Sequence, residues 1–266
     1  MGWWLRSLSV AFVVASTGFG AFYALHGSPQ GRPLMVTLPL MASFAGIFGT
    51  ELEPVLHGYL DRLSDRYRVL LVDYPSIGGS RDIPPHELTA DRVCADLLAV
   101  ASAAGFDRFA YWGYSWSGAV GLQMAARSDR LTALVVGGWP PLDGPYEAIL
   151  AAARLKLPNP EPSSMKVLRS KAQYAQWIHY YESMLGWRER EAVARIECPR
   201  LVIFGGDGDL VEAGIPVPIA SNIHRNRAAL EAMGWRVHQI AGHGHAVCMR
   251  PELVLPPVRE FLDAVL

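Results

Sequence analysis

The sequence predicts an α/β domain whose mostly parallel sheet is covered by helices on both faces. Three observations carry that prediction. Short apolar runs of strand length alternate with helical runs along most of the chain, several strand runs are continuously apolar as in buried parallel strands, and 266 residues suffice for one large core. Such alternation implies right-handed βαβ crossovers.

The N-terminal 25 residues are mostly apolar and carry a single basic residue, Arg6. A spanning helix needs about 20 uninterrupted apolar residues, and Ser16-Thr17-Gly18-Phe19-Gly20 places turn chemistry in the middle. The segment is therefore expected to be a hairpin, with strands at 10–15 and 21–25 and no stable membrane insertion. A strand follows at 33–38, a helix at 52–63, and a buried strand at 67–72, which ends in Asp73-Tyr74-Pro75 and the turn Gly78-Gly79-Ser80. A helix is expected over 89–104, where Val93, Leu97, Leu98 and Ala101 share a face. A strand at 109–113, a helix at 117–126 and a strand at 131–136 continue the rhythm. It breaks between Gly138 and about Glu197, where prolines and an aromatic-rich helical stretch suggest an insertion. The alternation then resumes with a strand at 201–204, a helix at 221–233, a strand at 236–240 and a closing helix at 251–265.

Composition narrows the function classes. A net charge of -1 with 18% charged residues provides no basic footprint for nucleic acid. A small-molecule substrate is the remaining expectation. Cys94, Cys198 and Cys248 are odd in number and widely spaced, which suggests neither a disulfide framework nor a zinc site and fits a reducing, cytoplasmic compartment. No cofactor or metal is expected.

Gly113-Tyr114-Ser115-Trp116-Ser117-Gly118 falls between an apolar strand and an amphipathic helix. A nucleophile elbow needs this context: the serine occupies a strained turn, small neighbours let strand and helix approach, and the hydroxyl stands clear of the sheet. Helix N–H groups beside Ser115 would face a developing oxyanion. The G-x-S-x-G form would have glycine at 117, where this chain has serine.

On these residues the chain resembles the α/β-hydrolase family over nearly its whole length. The segment from Asp73-Tyr74-Pro75 to Ser80 resembles the family's D-x-P-G-x-G-x-S turn, with Ser76 in place of a glycine, and PELVLPPVREFL resembles its last helix. The resemblance implies an α/β-hydrolase fold with eight strands, the second antiparallel. It also implies a core of residues 1–138 and 196–266 with a helical cap at 139–195.

In this family the acid and histidine follow the serine in that order. Gly205-Gly206-Asp207-Gly208-Asp209 resembles the G-x-x-D loop and implies Asp209 as acid, with Asp207 as alternative. Gly242-His243-Gly244-His245-Ala246 resembles the G-x-x-H-A loop and implies His245 as base, with His243 as alternative. A His-x-His pair with nearby aspartates can also bind metal, but no third ligand at suitable spacing accompanies it. The oxyanion hole is expected to use the N–H of Trp116 and of Leu40, or of Met41, from a loop in which Pro39 cannot donate. Leu40, Met41, Trp116, Trp139 and Trp177 are the expected substrate contacts, and the aromatic cap favours an apolar acyl or aromatic group. The implied function is hydrolysis of a carboxylic ester, thioester or lactone through an acyl-serine. Acyl transfer by the same triad, or a ligand-binding or cyclisation scaffold with little turnover, are the alternatives.

Overall fold

The computed structural model describes residues 9–14 and 20–266. Strands β1 (Ser9–Val14), β2 (Gly20–His26), β3 (Arg32–Val36) and β4 (Tyr67–Val72) come first, then β5 (Phe109–Tyr114), β6 (Leu131–Gly137) and β7 (Arg200–Gly205). A short hairpin of β8 (Leu210–Glu212) and β9 (Ile215–Val217) precedes the last strand, β10 (Trp235–Ile240). Among the described residues eight strands form one sheet in the order β1-β2-β4-β3-β5-β6-β7-β10. β2 is antiparallel to both neighbours, and the other pairings in that sheet are parallel. The N-terminal hairpin pairs Ser9 with Leu25 and Val14 with Gly20. Residues 15–19, which hold most of its expected bend, lie outside the described residues.

Burial follows position in the sheet. All six residues of the central strand β5 are buried, whereas the edge strand β10 is buried only at its ends, Trp235 and Ile240, with exposed and half-buried positions between. Helices α1 (Phe44–Phe48), α2 (Glu53–Leu63), α3 (Ala90–Ala103) and α4 (Trp116–Arg127) lie within the first half. Thr89 caps α3 by accepting the Arg92 N–H at 3.2 Å. Helices α5 (Tyr146–Lys156), α6 (Pro162–Val167), α7 (Ala175–Glu182) and α8 (Glu189–Ala194) fill the connection from β6 to β7, and α9 (Ala220–Ala232) and α10 (Pro251–Val265) complete the chain. α3 packs on α4, and α10 packs on α2. Tyr59 of α2 meets Trp112 of β5 edge to face at 5.4 Å.

Two elements differ from expectation. The five-residue helix α1 and the β8–β9 hairpin occupy stretches for which the sequence predicts no regular element. No helix among the described residues is long and apolar enough to cross a membrane.

Candidate active site

β5 runs straight into the turn at Ser115, whose φ of 54° and ψ of -126° are strained for a residue with a side chain. Three hydrogen bonds and two glycines hold that strain. The Ser115 N–H donates to Gly137 O at 2.8 Å, Gly118 N–H to Ser115 O at 2.8 Å, and Tyr114 N–H to Leu38 O at 2.9 Å. A Cβ at Gly113 would lie 2.2 Å from Ser117 O, and one at Gly118 would lie 3.0 Å from Gly137 O. At Gly113 strand and helix approach too closely for any side chain, and at Gly118 a side chain would require its neighbours to shift.

The serine at 117 has a definite partner. Its buried Oγ accepts from the Tyr74 hydroxyl at 2.9 Å, while Tyr111 donates to Ser117 O at 2.9 Å and shares a 2.7 Å bond with Thr37 Oγ1. Position 117 thus joins a closed hydroxyl network beneath the elbow. Ser76 is accommodated similarly: its backbone takes a φ of 61°, and its Oγ accepts the Ile83 N–H at 3.1 Å. Asp73, fully buried, accepts the N–H groups of Ser43 at 3.0 Å and Gly79 at 2.8 Å together with the Ser43 hydroxyl. Burial raises its pKa, and those hydrogen bonds oppose the rise. This carboxylate ties the loop after β3 to the turn after β4.

His245 opens a short helical turn after β10, and its Nε2 lies 3.0 Å from Ser115 Oγ. Its position is set from beneath by Tyr114, whose ring centroid is 5.3 Å away and whose hydroxyl donates to His245 O at 2.9 Å. Burial lowers the imidazole pKa to about 4, so the ring is neutral near pH 7 and its Nε2 can accept a proton. His243 instead places Nδ1 3.1 Å from Ala241 O in its own loop.

The aspartates occupy other positions. Asp209 is exposed, and its Oδ1 accepts the Ser221 N–H at 3.0 Å near the start of α9; Asp207 Oδ1 accepts the Gly242 N–H at 3.1 Å. His245 Nδ1 is buried without a hydrogen-bond partner among the described residues. The structure therefore brings Ser115 and His245 together but does not seat Asp209 on the imidazole. The reason is the positive end of α9, which offers the carboxylate an unpaired backbone N–H. The two loops nevertheless run side by side, since Asp207 N–H donates to His243 O at 3.0 Å.

Ser115 lies on the wall of a cavity of about 250 Å³. Leu38 and Trp116 adjoin the serine, Ile149, Ala152 and Lys156 come from α5, and Tyr174, Trp177 and Tyr181 come from the segment around α7. The hairpin contributes Leu210, Glu212 and Val217. Trp116 meets Trp177 edge to face at 4.8 Å. Three expected contacts are corrected: Leu40, Met41 and Trp139 are buried in the core rather than on this wall. Trp139 fills the space beside Gly118 and faces Tyr146 at 5.4 Å, and Leu38 takes the wall position expected of Leu40. A larger groove of about 900 Å³ elsewhere, bordered by Asp107, Arg108, Arg127, Asp129, Arg130 and Arg195, does not reach Ser115.

Sequence reasoning missed the hairpin's contribution and Lys156. The hairpin signal was Ala213-Gly214, both with positive φ (51° and 80°), between three-residue strands. Lys156 gave none, since a lysine late in a helix ordinarily faces water.

The family model described as "Alpha/beta hydrolase family" matches residues 24–256. The chain belongs to the alpha/beta hydrolase family. This hydrolase is 24% identical over 177 residues to an Agrobacterium fabrum protein named "Putative carbamate hydrolase RutD", covering 61% of this chain and 66% of that protein. The chain spans less than two thirds of the length of the curated relatives it matches, with 66%, 31% and 37% covered. Among solved structures, an enol-lactonase from Burkholderia xenovorans LB400 superposes with a TM-score of 0.71 at 20% identity, covering 95% of this chain and 100% of that one. A thermophilic esterase from Thermogutta terrifontis gives 0.66 at 18% identity, with 97% and 99% covered. At these identities the structural likeness speaks to the fold of the hydrolase.

Proposed function

We propose that this protein hydrolyses a carboxylic ester, thioester or lactone of a small, largely apolar substrate through an acyl-serine intermediate. The 3.0 Å approach of His245 Nε2 to Ser115 Oγ, at a strained elbow beside an apolar cavity, carries the proposal. A serine hydroxyl is a weak nucleophile until a base takes its proton. His245 takes the Oγ proton as Oγ forms a bond to the substrate carbonyl carbon, and the carbonyl oxygen gains the negative charge. The N–H of Trp116, at the open end of α4, and that of Leu40 receive that charge. Collapse of the intermediate breaks the bond to the leaving group, which takes the proton from His245. Water then repeats the sequence on the acyl-serine, releasing the acid and restoring both side chains.

Asp209 is assigned as the acid, reaching Nδ1 when its loop turns from α9 in the substrate complex. The G-x-x-D position and the adjoining loops support this assignment. Residues 139–195 act as the cap over the nucleophile. The lactone and ester chemistry in the names of the structural neighbours, and the carbamate chemistry in that of the curated relative, agree with acyl transfer to water. Three free thiols fit a cytoplasmic enzyme.

The test is a fluorophosphonate probe with a p-nitrophenyl ester assay. Wild type should be labelled once and turn over esters, and Ser115→Ala should do neither. An unlabelled, inactive wild type that still binds esters would favour the scaffold reading, which the unpartnered Nδ1 makes worth this control.

A further inference from the structure

The wall of the Ser115 cavity carries one polar feature that acyl transfer does not use. Lys156, the last residue of α5, has a side chain only 12% exposed and borders the same cavity as the nucleophile. Among the described residues it is the only cation on that wall. Its Nζ pairs with Glu212 of β8 and, at 2.9 Å, with Glu161 before α6. The hydroxyl-bearing rings of Tyr174 and Tyr181 line the same cavity, and the charge of Glu212 acts on both. One part of an otherwise apolar pocket is therefore polar.

An ammonium has three N–H donors, and the two glutamates account for two of them. Burial opposes its charge, but the hydrogen bonds and charges of Glu212 and Glu161 outweigh burial and raise its pKa, so it is a donor at neutral pH. Charge counting then selects the acceptor. One ammonium with two carboxylates leaves an excess negative charge beside the cavity, which disfavours a further carboxylate and accepts a neutral oxygen. We propose that Lys156 sets specificity by donating to a neutral oxygen, a ketone, ether or amide carbonyl, on the acyl part of the substrate. This rests on the assignment of Ser115 as nucleophile of an acyl hydrolase.

The experiment compares kcat/KM for p-nitrophenyl hexanoate, its 4-oxo and 5-oxo analogues, and the monoester of glutaric acid. At least one oxo ester should exceed the plain ester by about tenfold in the wild type, the effect expected of one charge-assisted hydrogen bond. The glutarate monoester should fall below the plain ester. The oxo-to-plain ratio should drop to about one in Lys156→Met and persist in Lys156→Arg. Should Lys156→Met not fold, Glu212→Gln provides the second arm: removing one negative charge should raise the glutarate-to-plain ratio severalfold. A ratio of one for both oxo esters in active wild type overturns the proposal, as does a wild-type preference for the carboxylate. Loss of both ester turnover and Ser115 labelling overturns the nucleophile assignment, and this inference with it.

Discussion

In the proposed mechanism Ser115 and His245 divide the chemical work by environment. The serine is held in a left-handed conformation that a free chain would avoid, and the imidazole is kept neutral by burial, with a pKa of about 4. Ser115→Ala should lower kcat by three or more orders of magnitude while leaving the melting temperature within a few degrees. His245 Nδ1 has no hydrogen-bond partner among the described residues, so the pH dependence of turnover reports whether a carboxylate reaches it. The base works only when neutral, so kcat/KM, which reports the free enzyme, should fall as pH drops through about 4. A carboxylate beside Nδ1 favours the imidazolium and raises its pKa, so the acid limb of kcat, which reports the complex, should lie at higher pH if Asp209 turns in. In Asp209→Asn the two limbs should coincide and kcat should fall by about 10²–10⁴-fold. Coincident limbs in the wild type would refute the role given to Asp209. The serine and histidine were legible in the sequence because each follows a strand in a recognisable loop. The resting place of Asp209 was not, because a G-x-x-D motif does not say whether a helix N-terminus will compete for the carboxylate.

The elements around the elbow are joined by hydroxyls, those of Ser117 and Ser76 among them. Tyr74→Phe removes the donor to Ser117 Oγ and the bond that Tyr74 shares with the Tyr111 hydroxyl, while Tyr111 keeps its bonds to Thr37 and to Ser117 O. The expected cost is about 1–3 kcal/mol of stability, measured by chemical denaturation, with a small effect on KM. Gly113→Ala should be far worse, since its Cβ would meet backbone oxygen at 2.2 Å, and loss of soluble expression or of all activity is the expected result. The regular elements were readable from apolar periodicity: the strand at Tyr67–Val72 and the helix at Pro251–Val265 occur at the expected bounds. Those missed were short. A three-residue strand has too few side chains to display a period, and α1 spans little more than one turn.

In the whole molecule, the sheet presents the elbow, and helices between β6 and β7 line the cavity beside it. A cavity of about 250 Å³ sets a size limit, so kcat/KM across p-nitrophenyl esters should peak at short chains and decline steeply by dodecanoate. Trp177→Ala should move the optimum to longer chains by removing the ring that meets Trp116. An unchanged profile would place the acyl group elsewhere. The roof's helical content was legible as an insertion, but which of its faces would border the cavity depended on packing that no local pattern encodes. The hairpin has one further consequence. It begins at Leu210, one peptide bond after Asp209, and Glu212 on it grips Lys156 of α5. On the proposed assignment of Asp209, acid and ceiling are links of one mechanical chain, so filling the chamber is expected to act on the proton relay as well. Anyone retailoring this enzyme by exchanging the hairpin should expect selectivity and turnover rate to change together, and would do well to transplant the partner lysine with it.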